Sequence, residues 1–298
     1  MNLFRTQNDL RELAGQYANA RRVPAATIIK EILHYEILYA LTQSGAASHL
    51  VFQGGTALRL CYQGTRYSED LDFACGPAFA PECMAPFADL LQREIANAYG
   101  LQVEINPPAM RKPDPEQTVP VTRWSAKIHI PDADTRLKQN QVINIEVARV
   151  PAHDPDMASI VANYPHLPEP LRQMLIVAET RAEILADKLV ALGARPFIKA
   201  RDIWDIKFLS DNQVQPNFDL VRQKLRDDGW HVDDFKAKLK DKLPVLATQD
   251  TMLAFRQEMG RFVDERAAGM LANPQLSDRY MAKAIELGRE LITDLDNH

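Results

Sequence analysis

Asp70 and Asp72 are the residues whose type and spacing point most directly to chemistry: they alternate with Leu71 and Phe73 in a short, otherwise apolar run. In an extended strand alternate side chains share a face, so the two carboxylates point one way while their neighbours enter the core. Two like charges on one face repel each other unless a cation lies between them. Oxygen donors at this spacing suit Mg2+, a hard ion held by one or two carboxylates, water and the phosphates of a substrate; Mn2+ is the alternative. Upstream, Gly54, Gly55 and Thr56 follow the apolar segment His49 to Phe52 and precede a helical pattern reaching Tyr62. Lacking Cβ, a glycine lets a phosphate approach the backbone, and the amides of a helix N-terminus attract anions. The 14 residues Thr56 to Glu69 suffice for one short helix and a return into the next strand, so turn and carboxylates are expected to face one nucleoside triphosphate.

Further polar residues belong with these. Val121 to Ile130 and Gln141 to Val150 alternate well enough for an antiparallel hairpin. In the second strand Glu146 shares a face with Asn144 and Ala148, which makes it a candidate third metal ligand, the alternative being an exposed surface glutamate. Thr180-x-x-Glu183 is a capping box that starts a helix through Leu192. Lys188 lies next to its buried stripe of Ile184, Leu185 and Leu189, where a lysine also snorkels readily. A following helix from Pro196 brings Asp202 and Asp205 onto one face. The plain explanation for them is that Asp202 pairs with Lys199 or another local base and Asp205 with Lys207 or a neighbouring helix.

The segments GGTALRLCY and RYSEDLDF, with AETRAEILADKLVAL and KARDIWDIKFL further on, resemble the motifs of the AbiEii/AbiGii nucleotidyltransferase toxins. That family includes the MenT toxins and lies within the DNA polymerase β-like superfamily. The similar segments span Leu50 to Leu209, about half of the chain. The resemblance implies an α+β fold: a polymerase β-like nucleotidyltransferase domain, with a small mixed or antiparallel sheet flanked by helices, over residues 1–165. A mainly helical domain would occupy residues 166–298.

It also implies transfer of a nucleotide from an NTP to an RNA acceptor, expected to be the 3′ end of a tRNA. Translation would stop, as for the toxin of a toxin-antitoxin or abortive-infection system with its cognate antitoxin. Carried over by motif, Asp70, Asp72, Lys188 and Asp202 are the expected catalytic residues. Gly54, Gly55, Thr56, Ser68, Lys188 and Asp205 are the expected nucleotide-binding residues, and Asp70, Asp72 and Glu146 the expected ligands of Mg2+. Ser68 matches a serine that is phosphorylated in some members to silence the toxin. Transfer to a protein or small-molecule hydroxyl, or a silent nucleotide-binding module, are the alternatives.

Composition agrees with an enzyme of this kind. At 298 residues, 46% hydrophobic and 25% charged, the chain can bury a sizeable core in two packed domains. No signal pattern or membrane-length apolar run is present, so no membrane partner and a cytoplasmic location are expected. The three cysteines form no CxxC pair, which argues against a zinc cage or a disulfide framework. Net charge of −5 offers no general attraction for nucleic acid. Weak local support comes from Arg123, Lys127, Arg136 and Lys138, and from the run Lys236, Lys238, Lys240 and Lys242. Asp9 to Ala20, Ala25 to Gln43 and Pro81 to Tyr99 read as packing helices, Leu101 to Ile105 as a strand, Pro107 to Pro120 as a loop and Val150 to Pro170 as a connection. Asn217 to His298 reads as a helical cover for the cleft or for a partner.

Overall fold

A computed structural model describes residues 7–76, 79–108, 121–130 and 139–297. Arg136, Lys138 and most of the Pro107 to Pro120 segment lie outside the described residues. Helices α1 (Gln7–Arg21) and α2 (Ala25–Gln43) come first. On α2 apolar residues recur on all sides, and Ile28, Ile32, Leu33, Ile37 and Leu38 are all buried. Such a helix is an internal layer, and its few polar residues need partners there. Glu31 receives the Arg59 guanidinium at 3.1 Å, and His34 Nε2 donates to the carbonyl of Glu69 at 3.1 Å. The second bond ties α2 to the residue preceding Asp70.

Burial pushes the His34 imidazole down to about 4, so it is neutral at physiological pH. A base with a depressed folded-state pKa contributes stability above its unfolded value near 6.5, and this is lost as pH falls through about 4. The urea midpoint is therefore expected to drop between these limits. In His34→Gln, where an amide donates without titrating, that part of the profile should flatten. An unchanged profile would show that another group governs it.

Strand β1 (Val51–Gln53) leads into α3 (Gly54–Cys61) and β2 (Leu71–Ala74). Then come α4 (Ala85–Tyr99), β3 (Gln102–Asn106), β4 (Val121–Ile130), β5 (Gln139–Ala148) and β6 (Pro155–Ser159). A short α5 (Glu169–Arg172) precedes β7 (Leu175–Glu179). The strands form one sheet in the order β3-β4-β5-β2-β1-β7-β6, with β1–β7 and β2–β5 parallel and the other pairs antiparallel. The fold is thus α+β with a mixed sheet. Phe52 and Phe73, neighbours on β1 and β2, lie 5.1 Å apart beneath it, and α2 packs with α4 on the core side.

The remaining chain is helical: α6 (Arg181–Ala194), α7 (Ala200–Asp211), α8 (Phe218–Asp227), α9 (Val232–Leu246), α10 (Gln249–Met259), α11 (Glu265–Leu271) and α12 (Pro274–Asn297). Helix α6 packs on α7, α8 and α9, while α12 closes over α7 and α9. Strands β6 and β7 were not expected from the sequence. The run Pro155–Ser159 has no apolar alternation because it is an exposed edge, and Leu175–Glu179 is a short apolar run indistinguishable from a buried helical turn. Through β7 the sheet runs past the expected division at residue 165.

Candidate active site

Register puts the key side chains in a line. Gln53 on β1 pairs with Asp72 on β2, Asp72 with Glu146 on β5, and Glu146 with Arg123 on β4. Asp72 and Glu146 thus stand side by side on adjacent parallel strands, and Leu71, Phe73, Ile145 and Val147 fill the core behind them. Asp70, one residue before β2, accepts from Asn144 Nδ2 at 2.9 Å and from the Asn144 amide at 3.3 Å. Glu146 receives Arg123 Nη2 at 2.7 Å. Burial, then Glu146 and Asp70, push the Asp72 carboxyl up to about 6. Lys188 and Arg195 offset only part of this, so burial and the neighbouring carboxylates prevail. Among the described residues no three His, Cys, Asp or Glu side chains converge closely enough to hold a metal ion as they stand.

The glycines serve this cluster in an unexpected way. Gly54 has φ +76°, in the left-handed region, and a Cβ there would meet Asp72 Oδ2 at 2.9 Å. A Cβ on Gly55 would lie 1.9 Å from Arg66 Nη2. The pair therefore leaves room for a carboxylate and a guanidinium packed against the first turn of α3. No side chain caps that turn, since Gln53 at the N-cap makes no side-chain bond to it. Thr56, expected to bind phosphate, is fully buried and its hydroxyl donates to the Asp70 carbonyl. Its side chain is a brace beneath Asp70.

Across a cleft of about 680 Å³ from the carboxylates stand α6, α7 and the segment joining them. Lys188 Nζ lies 3.0 Å from both Asp202 and Asp205. Arg66 grips Asp205 through two bonds, Nε at 2.6 Å and Nη2 at 2.7 Å, and Arg195 reaches Asp202 at 3.4 Å. Three cations and two anions form a ladder at the cleft wall. Against the burial that would raise them, Lys188 and Arg195 hold Asp202 down to about 2, and Arg66 and Lys188 lower Asp205. Lys188 stays protonated despite burial, because both aspartates favour its charge.

The model of the nucleotidyl transferase AbiEii toxin family, a type IV toxin-antitoxin system, matches residues 36–280. The chain belongs to that family. Its fold is similar to MenT4, a nucleotidyltransferase toxin of Mycobacterium tuberculosis H37Rv, at TM-score 0.53 and 19% identity, over 96% of this chain and 98% of that one. The structure of JHP933 from Helicobacter pylori is similar at TM-score 0.48 and 18% identity, over 92% and 95% of the two chains. No curated protein sequence matches the chain.

Within this AbiEii-family nucleotidyltransferase, the cleft is lined by Gly55, Ser68, Asp70, Asp72, Glu146 and Lys188 among others, so most of the residues expected from the motifs do meet. Asp202 lines it too, but both expected aspartates of α7 are buried anchors for bases. The partners are not those read locally: Lys207 bonds Asp211, and Lys199 pairs with neither. Arg66 escaped the sequence reading. It stands in the RYSEDLDF segment, and the residue that marks it is Gly55, which has no left-handed φ but whose Cβ would strike the Arg66 guanidinium. Only half of the expected capping box forms, because Thr180 accepts from the Glu183 amide while the Glu183 carboxylate takes the amides of His153 and Asp154, each at 2.7 Å. The Lys236 to Lys242 run is held internally: Lys236 by Asp233 and Asp296, Lys238 over the Trp230 ring, and Lys242 on the carbonyls of Leu192 and Gly193. No helix among the described residues is long and apolar enough to cross a membrane.

Proposed function

We propose that the protein transfers a nucleoside monophosphate from an NTP to the 3′ hydroxyl of a tRNA, in a reaction dependent on Mg2+ or Mn2+. Charging and translation would stop, and a cognate antitoxin would restrain the activity. The observation that carries this reading is the Asp72–Glu146 pair with Asp70, set beside the uncapped first turn of α3 and facing Lys188. The donor set fits a hard divalent cation: the ligands are all oxygen, the charge of Asp72 is only partly offset by Lys188 and Arg195, and two carboxylates with substrate phosphates suffice. Asp70 and Asp72 would hold the cation, with Glu146 as third ligand. When bound, it neutralises the triphosphate and lowers the pKa of the attacking hydroxyl.

The residues of the chain do the rest by positioning and charge. Amides of the first turn of α3 would bind phosphate oxygens beside the Asp72 carboxylate and the Arg66 guanidinium, the two groups that Gly54 and Gly55 admit there. Lys188, held by Asp202 and Asp205, stabilises charge on the α-phosphate and the departing pyrophosphate. The 3′ oxygen bonds to the α-phosphorus as the bond to pyrophosphate breaks, and the hydroxyl proton passes to water beside the Glu146 carboxylate. Ser68 lines the same cleft. A phosphate there would add about two negative charges beside Asp70 and oppose triphosphate binding.

The test incubates the protein and Asp72→Ala with Mg2+, total tRNA and each α-labelled nucleoside triphosphate in turn, followed by a denaturing gel. Label on tRNA that vanishes in the variant is expected. Label on protein, or on neither, overturns the tRNA acceptor.

A further inference from the structure

Phe197 lies in the segment between α6 and α7, and the residue is 60% exposed. The backbone around it is well anchored. Arg195 is tied to Asp202, Ile198 packs on the core, and Lys199 forms the N-cap of α7. The ring is therefore presented outward from a braced support, where it contributes little to folding. It lines the active-site cleft and also a second groove of about 380 Å³ bordered by Ile198, Val245 and Phe255. Phe197 and Pro196 are shared by the two cavities, so they form the threshold between them. Charge surrounds this threshold: Arg195, Lys199 and Arg201 line the cleft beside it, and Lys199 Nζ sits 5.7 Å from the ring centroid. Among the described residues Lys199 makes no ion pair with a carboxylate; it feels the Asp202 charge only from a distance, and its ammonium sits by the Phe197 ring.

A nucleoside triphosphate fits within the cleft, whereas a polynucleotide acceptor must enter with its 3′ end and pass out again. An aromatic face flanked by cations at the exit suits such a chain, since the ring stacks on an unpaired base and the cations meet the phosphodiester. We infer that Phe197 is the stacking platform for an unpaired base near the 3′ end of the RNA acceptor, with Lys199 on the adjoining phosphate. This rests on the RNA-transfer reading above and adds the acceptor subsite to it.

In steady-state assays, Phe197→Ala is expected to raise KM for RNA by about 10-fold or more, the range of one lost base-aromatic stack. KM for the NTP, kcat at saturating RNA and Tm should stay within about two-fold or unshifted. Phe197→Trp should restore KM for RNA, and a short single-stranded RNA with a free 3′ hydroxyl should quench its fluorescence beyond any quenching of the parent. A rise in KM for the NTP alone, or transfer to RNA with unchanged KM and no added quenching, overturns the platform. Added quenching of Phe197→Trp without transfer by the parent keeps the platform and defeats the transfer reading instead.

Discussion

Asp72→Asn is expected to reduce nucleotidyl transfer by roughly three orders of magnitude while making the metal-free protein more stable. Both effects come from one carboxylate. Its charge is buried, then opposed by Glu146 and Asp70, and only partly offset by Lys188 and Arg195, so its pKa is pushed up to about 6. A carboxyl raised in the folded state favours folding below its unfolded value near 4, and that contribution is lost as pH climbs through about 6. At neutral pH the ionised group therefore weighs against the fold, by on the order of 3 kcal/mol. Asparagine keeps the shape and removes the charge. Urea unfolding in a chelating buffer should show the variant more stable at about pH 7.5, with the gap closing towards about pH 4. Retained transfer would remove Asp72 from the site, and equal stability at neutral pH would mean that the carboxylates do not strain one another.

Asp205→Ala should have the second largest effect, and in the opposite direction on stability. This aspartate takes two bonds from Arg66 and a third contact from Lys188, and all three residues are buried. Removing it leaves the buried Arg66 without its carboxylate partner and Lys188 with Asp202 alone, a loss of roughly 3 to 5 kcal/mol. Transfer should fall as well, because Lys188 loses one of the two carboxylates that aim it and Arg66 loses its seat against Gly55. Asp205→Asn, which retains an acceptor, should lose less stability. Chemical denaturation of the two variants beside the parent separates these outcomes, and a loss below about 1 kcal/mol for Asp205→Ala would show that water reaches the pair.

How far the sequence anticipates the site depends on the range of the signal. Asp70 and Asp72 are legible because strand alternation is local, and Glu146 because a hydrophobic flank fixes its face; their meeting needs the β2–β5 register, which strand order alone suggests. Lys188, Asp202 and Asp205 are legible as motif residues, yet their roles are not. Which base an aspartate meets is settled by the packing of α6 on α7: Asp205 does reach a neighbouring helix, through Lys188, whereas the same-helix partners Lys199 and Lys207 that spacing offers are not used. Thr56 reads as a phosphate ligand because the turn chemistry is right, but burial of its side chain depends on β2 lying behind it. The edge strand β6 left no periodic trace, since little of it is buried.

Lys224 on α8 sits 2.8 Å from Glu179 and Glu183 and 3.0 Å from Asp187, joining the end of β7 to α6 and α8. Even buried, it remains strongly basic among these acids. With the Arg66–Asp205 clasp, it rivets the sheet to the helices at two points. Swinging the halves apart would expose a lysine, an arginine and their carboxylates as unpaired charges, so this cleft works as a fixed slot instead of a jaw. Small-angle scattering profiles with and without nucleotide should superimpose, and a radius of gyration that shrinks on binding would show that the two clasps let the halves close.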